Sequence, residues 1–224
     1  MTFSVVARCA ETGMFGVAVA SSSPAVAARC AYARAGVGAV ASQNVTDPTL
    51  GPDALDLLER GVDSAETVAT LRRTRNHMAY RQLLVVDASG CSAIHSGENA
   101  LGIWSEAAAE NVACGGNLLA NADVPARMVD AFSASEGALG GRLVTTLRAA
   151  LEAGGEAGPV HSAGLKLVQA VPWPVADLRV DWSDGDPIAE LAALWARYAP
   201  QLDDYVTRAL DPSAAPSYGV AGDE

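Results

Sequence analysis

The order of periodic segments along the chain predicts an α+β domain of packed layers. Strands come in runs and helices in pairs, without the one-by-one alternation of a parallel α/β sheet. Composition agrees. Half of the 224 residues are hydrophobic but only 5% are aromatic, so the core must be built from many small Ala, Val and Gly side chains, which suits closely spaced layers. Charged residues make up 18%, too small a share for a disordered chain. The segments divide into one domain over 1–185 and a C-terminal helix with a frayed tail over 186–224. No internal repeat and no long linker interrupts them.

TFSVVAR (2–8) and FGVAVAS (15–21) are β-rich runs joined through AETG, whose Gly13 can take positive φ, and they predict an N-terminal hairpin. RAGVGAVASQNVT places a third strand near 37–45, with Gly36 and Gly38 allowing close backbone approach. From Leu50 the spacing turns helical. GPDALDLLERG stops at Gly61, and a second helix opens at Asp63, whose Glu66 three positions on forms a capping-box pattern. YRQLLVVDASGCSAIHSG predicts a hairpin of 80–86 with 91–96, and AAAENVACGG one more strand near 110–115. Helices are expected over 123–135, with Pro125 in the first turn, and over 139–154, closing on Gly154 and Gly155. GLKLVQAV (164–171) and VADLRVDW (175–182) read as late strands. Asp186-Pro187 then starts a helix that Pro200 interrupts and LDDYVTRAL resumes.

Charge and motifs exclude several functions. A net charge of −11, with 15 Lys and Arg against 26 Asp and Glu, leaves no basic surface for a phosphate backbone, so no nucleic-acid partner is expected. No apolar stretch approaches the roughly 20 residues of a membrane span and no signal pattern opens the chain; the expectation is a soluble cytoplasmic protein with no membrane partner. Cys9, Cys30, Cys91 and Cys114 are scattered among small apolar residues and are expected to be buried. With His77, His95 and His161 they make no zinc-ligand spacing, so no metal is expected. A GxSxG elbow, a P-loop, HExxH and the third glycine of a dinucleotide fingerprint are all missing.

The remaining chemistry lies in the opening, MTFSVVAR. The small second residue permits methionine aminopeptidase to remove Met1, which would leave Thr2 with a hydroxyl and a free α-amine on one residue. Such an amine titrates near about 7.7–8.0 and can serve as a general base near neutrality. Nucleophile and base then share a residue, and a rigid first strand holds both in place. The competing reading is a Thr chosen for β-propensity in an edge strand.

Read in order, MTFSVVARCAETGMFGVAVASSSPAVAARCAYARAGVGAVASQNVTDPTLG, then YRQLLVVDASGCSAIHSG, then ENVACGGNLLAN resemble the domain of unknown function 1028 family, grouped with the N-terminal nucleophile (Ntn) hydrolases. The resemblance runs from Thr2 to about Asn121 and more loosely to Trp182. It implies a four-layer αββα sandwich of two stacked antiparallel sheets, and hydrolysis of a C–N amide-type bond in a small molecule with no metal or organic cofactor. Thr2 matches the family's leading Thr and would be the nucleophile.

Ser21, Ser22 and Ser23 stand where many relatives have a Ser-Lys pair. These hydroxyls would orient the amine or bind substrate, with Arg29 or Arg8 supplying charge; alternatively they only close a turn through local hydrogen bonds. Gln43 and Asn44 end the third strand, where polar groups can reach the mouth of a stacked-sheet site. Asn117, in GGNLL where the family has QGNLL, is the oxyanion candidate, and a helix cap is its alternative role. Arg81 and Gln82 in YRQL lie on opposite strand faces, so only one can point into a cleft; Arg81 is the candidate for substrate binding. His95 matches a recurrent family position, as a binding residue or as a buried neutral histidine, and Trp104 would line a wall. Two other functions compete: a non-catalytic small-ligand-binding protein that keeps the Ntn fold, and a Cys91–His95 hydrolase, whose residues stand about 13 Å apart along an extended strand. A homo-oligomer, paired through small-residue surfaces, is also expected.

Overall fold

Ten strands and seven α-helices are seen in a computed structural model that describes residues 1–221; the end of the expected frayed tail, 222–224, lies outside the described residues. In chain order they are β1 (Thr2–Arg8), β2 (Phe15–Ser21), α1 (Ala27–Cys30), β3 (Ala31–Arg34), β4 (Gly38–Asn44), α2 (Leu50–Glu59), α3 (Ser64–Thr74), β5 (Arg81–Asp87), β6 (Ser92–Ser96), β7 (Ser105–Ala109), β8 (Val112–Asn117), α4 (Val124–Ala134), α5 (Leu139–Glu152), β9 (Ser162–Val168), β10 (Ala176–Val180), α6 (Pro187–Tyr198) and α7 (Leu202–Leu210). Two antiparallel sheets result, one of six strands in the order β10-β9-β2-β1-β8-β7 and one of four in the order β3-β4-β5-β6. The sheets stack on each other, with α2 and α3 outside the smaller sheet and α4, α5 and α6 outside the larger. This is the four-layer αββα sandwich.

Strand periodicity sorts the side chains into three cores. On β1, Phe3, Val5 and Ala7 point to the helices of the larger sheet, whereas Val6 points to the other sheet. The layer between the sheets is filled by Val6, Val17, Val19, Ala39, Ala41, Leu84, Val86 and Ala113, with Phe15 its one aromatic ring. Small side chains allow the two sheets to approach, which accounts for the aromatic-poor composition. Leu83 and Val85 face α2 and α3. Gly38 marks one of the closest approaches: a Cβ there would lie 2.6 Å from the Val86 carbonyl oxygen.

The expected hairpins, helix pairs and late strands are present, with four local differences. β3 was not anticipated, because four residues following a single helical turn carry almost no periodic signal. β7 was also missed: SEAAA is a poor β sequence, held in place by its hairpin with β8 through Asn111 at φ 65°. At α3, Asp63 accepts the Glu66 N–H at 2.8 Å, but the Glu66 carboxylate does not complete the capping box; it takes the Thr70 hydroxyl and the Arg73 guanidinium. Finally, Cys91 is exposed in the β5–β6 turn, contrary to the buried role expected of all four cysteines. The terminal helices pack inward: Ile188, Leu191 and Leu202 join the core beneath α5.

Candidate active site

The strand parity that builds the inter-sheet layer also brings polar groups together at one of its ends. Thr2 and Ser4 share the face of Val6, Ser21 that of Val19, Gln43 that of Ala41, Gln82 that of Leu84, and Asn117 that of Ala113. The register completes the arrangement: Thr2 pairs with Asn117 across β1 and β8, and Phe3 pairs with Ala20 so that Ser21 lies beside Thr2. Thr2 is only 6% exposed. Its Oγ1 stands 3.3 Å from Ser21 Oγ, and both hydroxyls donate to the Met1 carbonyl. Ser21 is itself oriented by the Ser23 N–H, which donates to its Oγ at 3.0 Å. Around it, Ser162 Oγ donates to the Ser23 carbonyl at 2.6 Å and the His161 N–H to the Ser21 carbonyl at 2.9 Å. The serine run therefore forms hydrogen bonds within its own turn and also places a hydroxyl against Thr2.

Beneath Thr2 a chain of side-chain hydrogen bonds crosses from one sheet to the other. Ser4 donates to Gln43 Oε1 at 2.7 Å, and Gln43 Nε2 donates to Gln82 Oε1 at 2.7 Å and to the Gly115 carbonyl at 3.2 Å. Gln82 Nε2 continues to Ser96 Oγ at 2.9 Å, and Ser96 donates to Glu106 at the protein surface. Ser4, Gln43 and Gln82 are fully buried. An unpaired buried polar group costs about 1–3 kcal/mol, so a fully paired chain ties the two sheets together at this end. Asn117 joins it through Nδ2 to Gln82 Oε1 at 3.4 Å, beyond the usual N–H···O range, so its amide is only weakly tied.

The other sequence candidates lie outside this cluster. Asn44, at φ 74°, forms part of the rim: its amide donates to the Tyr80 carbonyl and its Oδ1 accepts the Leu101 N–H at 3.2 Å. Of the YRQL pair, Gln82 faces the inter-sheet layer. Arg81 takes the opposite face and donates to the Val45 carbonyl. His95 is on the helix side of β6, with Nε2 2.8 Å from the Met78 carbonyl. Cys91 and His95 do not meet, since Cys91 lies in the turn before β6. Arg29 is held by the Pro24 and Ala25 carbonyls, and Arg8 lies at the far end of β1 on Asn111 Oδ1. The single lysine, Lys166, is in mid-β9 and pairs with Asp177 at 3.3 Å, so no lysine reaches Thr2. Trp104 is 39% exposed on the loop before β7.

Sequence reasoning missed one residue at the site, Glu156. It is 4% exposed, and neither carboxylate oxygen has a hydrogen-bond partner. An isolated bridge to Leu119, with Ala157 N–H donating to the Leu118 carbonyl at 2.9 Å, fixes it beside the segment that follows Asn117. Burial pushes its carboxyl up to about 7, against a weaker downward pull from the amino terminus and from Ser22, whose N–H and hydroxyl lie near it without forming a well-aligned hydrogen bond. A lone Glu in GGEAG gives no sign in the sequence; its burial comes from the fold. Among the described residues, no group of three or more His, Cys, Asp or Glu side chains gathers as a metal site. None of the helices there is long and apolar enough to cross a membrane.

The fold has a close counterpart. The crystal structure of protein SPO2555 from Silicibacter pomeroyi, of family DUF1028, aligns at a TM-score of 0.83 and 28% identity, covering 91% of this chain and 94% of that one. Two structures of Anbu, an ancestral beta-subunit, align at TM-scores of 0.39 and 11% identity. That from Yersinia bercovieri covers 91% of this chain and 97% of its own, and that of the Gly-1 mutant from Hyphomicrobium sp. strain MC1 covers 90% and 96%; both likenesses are too loose to carry an inference. No curated protein matches. Residues 2–191 match the model described as "Family of unknown function (DUF1028)", and the chain belongs to that family.

Proposed function

We propose that the protein is an Ntn-type amidohydrolase in which loss of Met1 frees Thr2 as the nucleophile. The observation that carries this reading is the position of the Thr2 hydroxyl: buried at the end of the inter-sheet layer, 3.3 Å from Ser21 Oγ, and paired across the sheet with Asn117. Thr2 Oγ attacks the carbonyl of a small amide and its proton passes to the α-amine of the same residue. The Asn117 amide and the Ser21 hydroxyl donate to the developing oxyanion, an arrangement whose individual donors are worth about 10²–10³ in turnover. Collapse breaks the C–N bond, and the α-ammonium delivers its proton to the leaving nitrogen. Water then attacks the Thr2 ester with the α-amine again taking the proton, which returns to Oγ as the acid departs.

The test joins N-terminal mass spectrometry with a threonine-directed electrophile. Expected are a chain beginning at Thr2, labelled there, with turnover lost in Thr2→Ala and retained in part in Thr2→Ser. Active protein that keeps Met1 would overturn the proposal. The absence of any lysine near Thr2 favours a second reading, a protein that binds amides without cleaving them. Processed chain that binds an amide, takes no label and shows no turnover would support it.

A further inference from the structure

Met1 is itself an acyl group on Thr2, and the contacts it makes outline a niche. Its carbonyl oxygen receives the hydroxyls of Ser21 and Thr2. Its thioether packs against the backbone of Gly158, where an added Cβ would lie 3.3 Å from Cε and 3.5 Å from Sδ. Two residues earlier, the buried Glu156 carboxylate has no well-aligned hydrogen bond on either oxygen, only Ser22 near it, and forms no ion pair with any described side chain. Gly155, next to it, lies against Phe3. An uncompensated buried carboxylate is costly, and a bound cation would relieve that cost. No arginine supplies one, since Arg29 and Arg81 are held on main-chain carbonyls. The charge that Glu156 feels is the ammonium of Met1.

Resting on the Thr2 reading, we propose that the space filled by Met1 is the acyl subsite, and that it takes substrates with a free α-amino group: amides of amino acids, or the first residue of a short peptide. The scissile carbonyl occupies the place of the Met1 carbonyl, under the Ser21 hydroxyl. The substrate ammonium, one carbon away, faces Glu156, and its side chain runs along Gly158. An acyl group on Thr2 Oγ differs from Met1 only in its attachment to the hydroxyl instead of the neighbouring nitrogen, so the same niche serves both. Glu156 acts here as a specificity residue. A net charge of −11 also favours cationic small molecules at long range.

The test is calorimetric binding at about pH 7.5, where much of a free α-amine is still protonated. It uses full-length chain beginning at residue 2 and carrying Thr2→Ala, so that no ligand is consumed. L-methioninamide is compared with N-acetyl-L-methioninamide, which has the same side chain and no charge. The expected result is about thirtyfold tighter binding of the free amine, the usual cost of removing one partner from a buried charge pair. Glu156→Gln removes that preference and Glu156→Asp keeps part of it. Equal affinity for the two ligands overturns the proposal, as does a Glu156→Gln chain that weakens both alike or folded protein that binds neither. Because this chain is made to begin at residue 2, retention of Met1 or failure of Thr2 labelling in the natural protein counts against the nucleophile alone.

Discussion

Replacing Glu156 with Gln should stabilise the protein, and only above a defined pH. The carboxyl has an ordinary value of 4.5, and burial pushes it up to about 7 in the folded chain. Between those values the native state holds a proton that the unfolded state has released, so stability falls as pH rises through the window. Below 4.5 both states are protonated and the group contributes nothing. Above 7 both are ionised and the full cost of the buried charge is present. At about 1.4 kcal/mol per pH unit, the gap between 4.5 and about 7 amounts to about 3 kcal/mol. The amide of Gln keeps the shape of the protonated carboxyl and does not titrate. Urea unfolding of both chains at pH 5, 6, 7 and 8 should show a separation that grows from about 1 kcal/mol at pH 5 to about 3 kcal/mol at pH 8, with Glu156→Gln the more stable. A separation that does not change with pH would refute the reasoning, because it would mean that the carboxylate is solvated or paired in the folded state.

Gln82→Ala should act in the opposite direction, destabilising by about 3 kcal/mol at every pH, because it takes one of two hydrogen bonds from the buried Gln43 amide, takes the Gln82 N–H from the Ser96 hydroxyl and opens a cavity in the inter-sheet layer, while Gln43 keeps the Gly115 carbonyl and Ser96 keeps Glu106; urea unfolding at pH 5 and 8 checks both the size and the missing pH dependence. Two glycines should differ when changed to Ala. At Gly164 the new Cβ would sit 2.3 Å from Ala27 Cβ, which has no rotamer to yield, and about 1–3 kcal/mol should be lost. At Gly16 the obstacles are the δ-methyls of Leu143 and Leu167, which can rotate away, so thermal denaturation should show the smaller loss there.

Much of the layer plan was legible because it rests on periodicity. β1 and β2 alternate around a glycine turn, and α2 to α5 each carry an apolar stripe between recognisable end signals, so their places follow from local chemistry. β3 and β7 did not show: one is four residues long, and the other is alanine-rich and borrows its conformation from β8. The candidate site divides in the same way. Thr2, Ser21, Gln43 and Asn117 could be named from the sequence because each lies at a strand end within a matching block. The choice of Arg81 over Gln82 was the wrong one, since it depends on which face of β5 meets the other sheet, a property of the packed pair of sheets that turns Gln82 inward. Glu156 left no local trace, because its burial is created by the return of the chain beside residues 118–120.

Gln82 and Glu156 are almost equally buried and lie near the same end of the sandwich, yet their energetics have opposite signs. The Gln82 amide is satisfied on both atoms by groups of both sheets, so it contributes to a single alignment of β5 against β8 and its removal weakens the fold. Glu156 has no well-aligned hydrogen bond on either oxygen, and burial outweighs the pull of its neighbours, so it weakens the fold as long as it is ionised. A carboxylate with that effect is not explained by stability, and its neighbours are those of the proposed acyl subsite: the Ser22 hydroxyl, the terminal ammonium and the glycine against which Met1 rests. The sign of ΔΔG on neutral substitution thus separates a polar group that holds the sheets together from one whose charge the fold leaves unsatisfied, as the proposed subsite requires. With L-methioninamide present in the urea-unfolding experiment at pH 8, the stability of the Glu156 chain should rise toward that of Glu156→Gln, through the linkage by which any ligand selective for the folded state stabilises it.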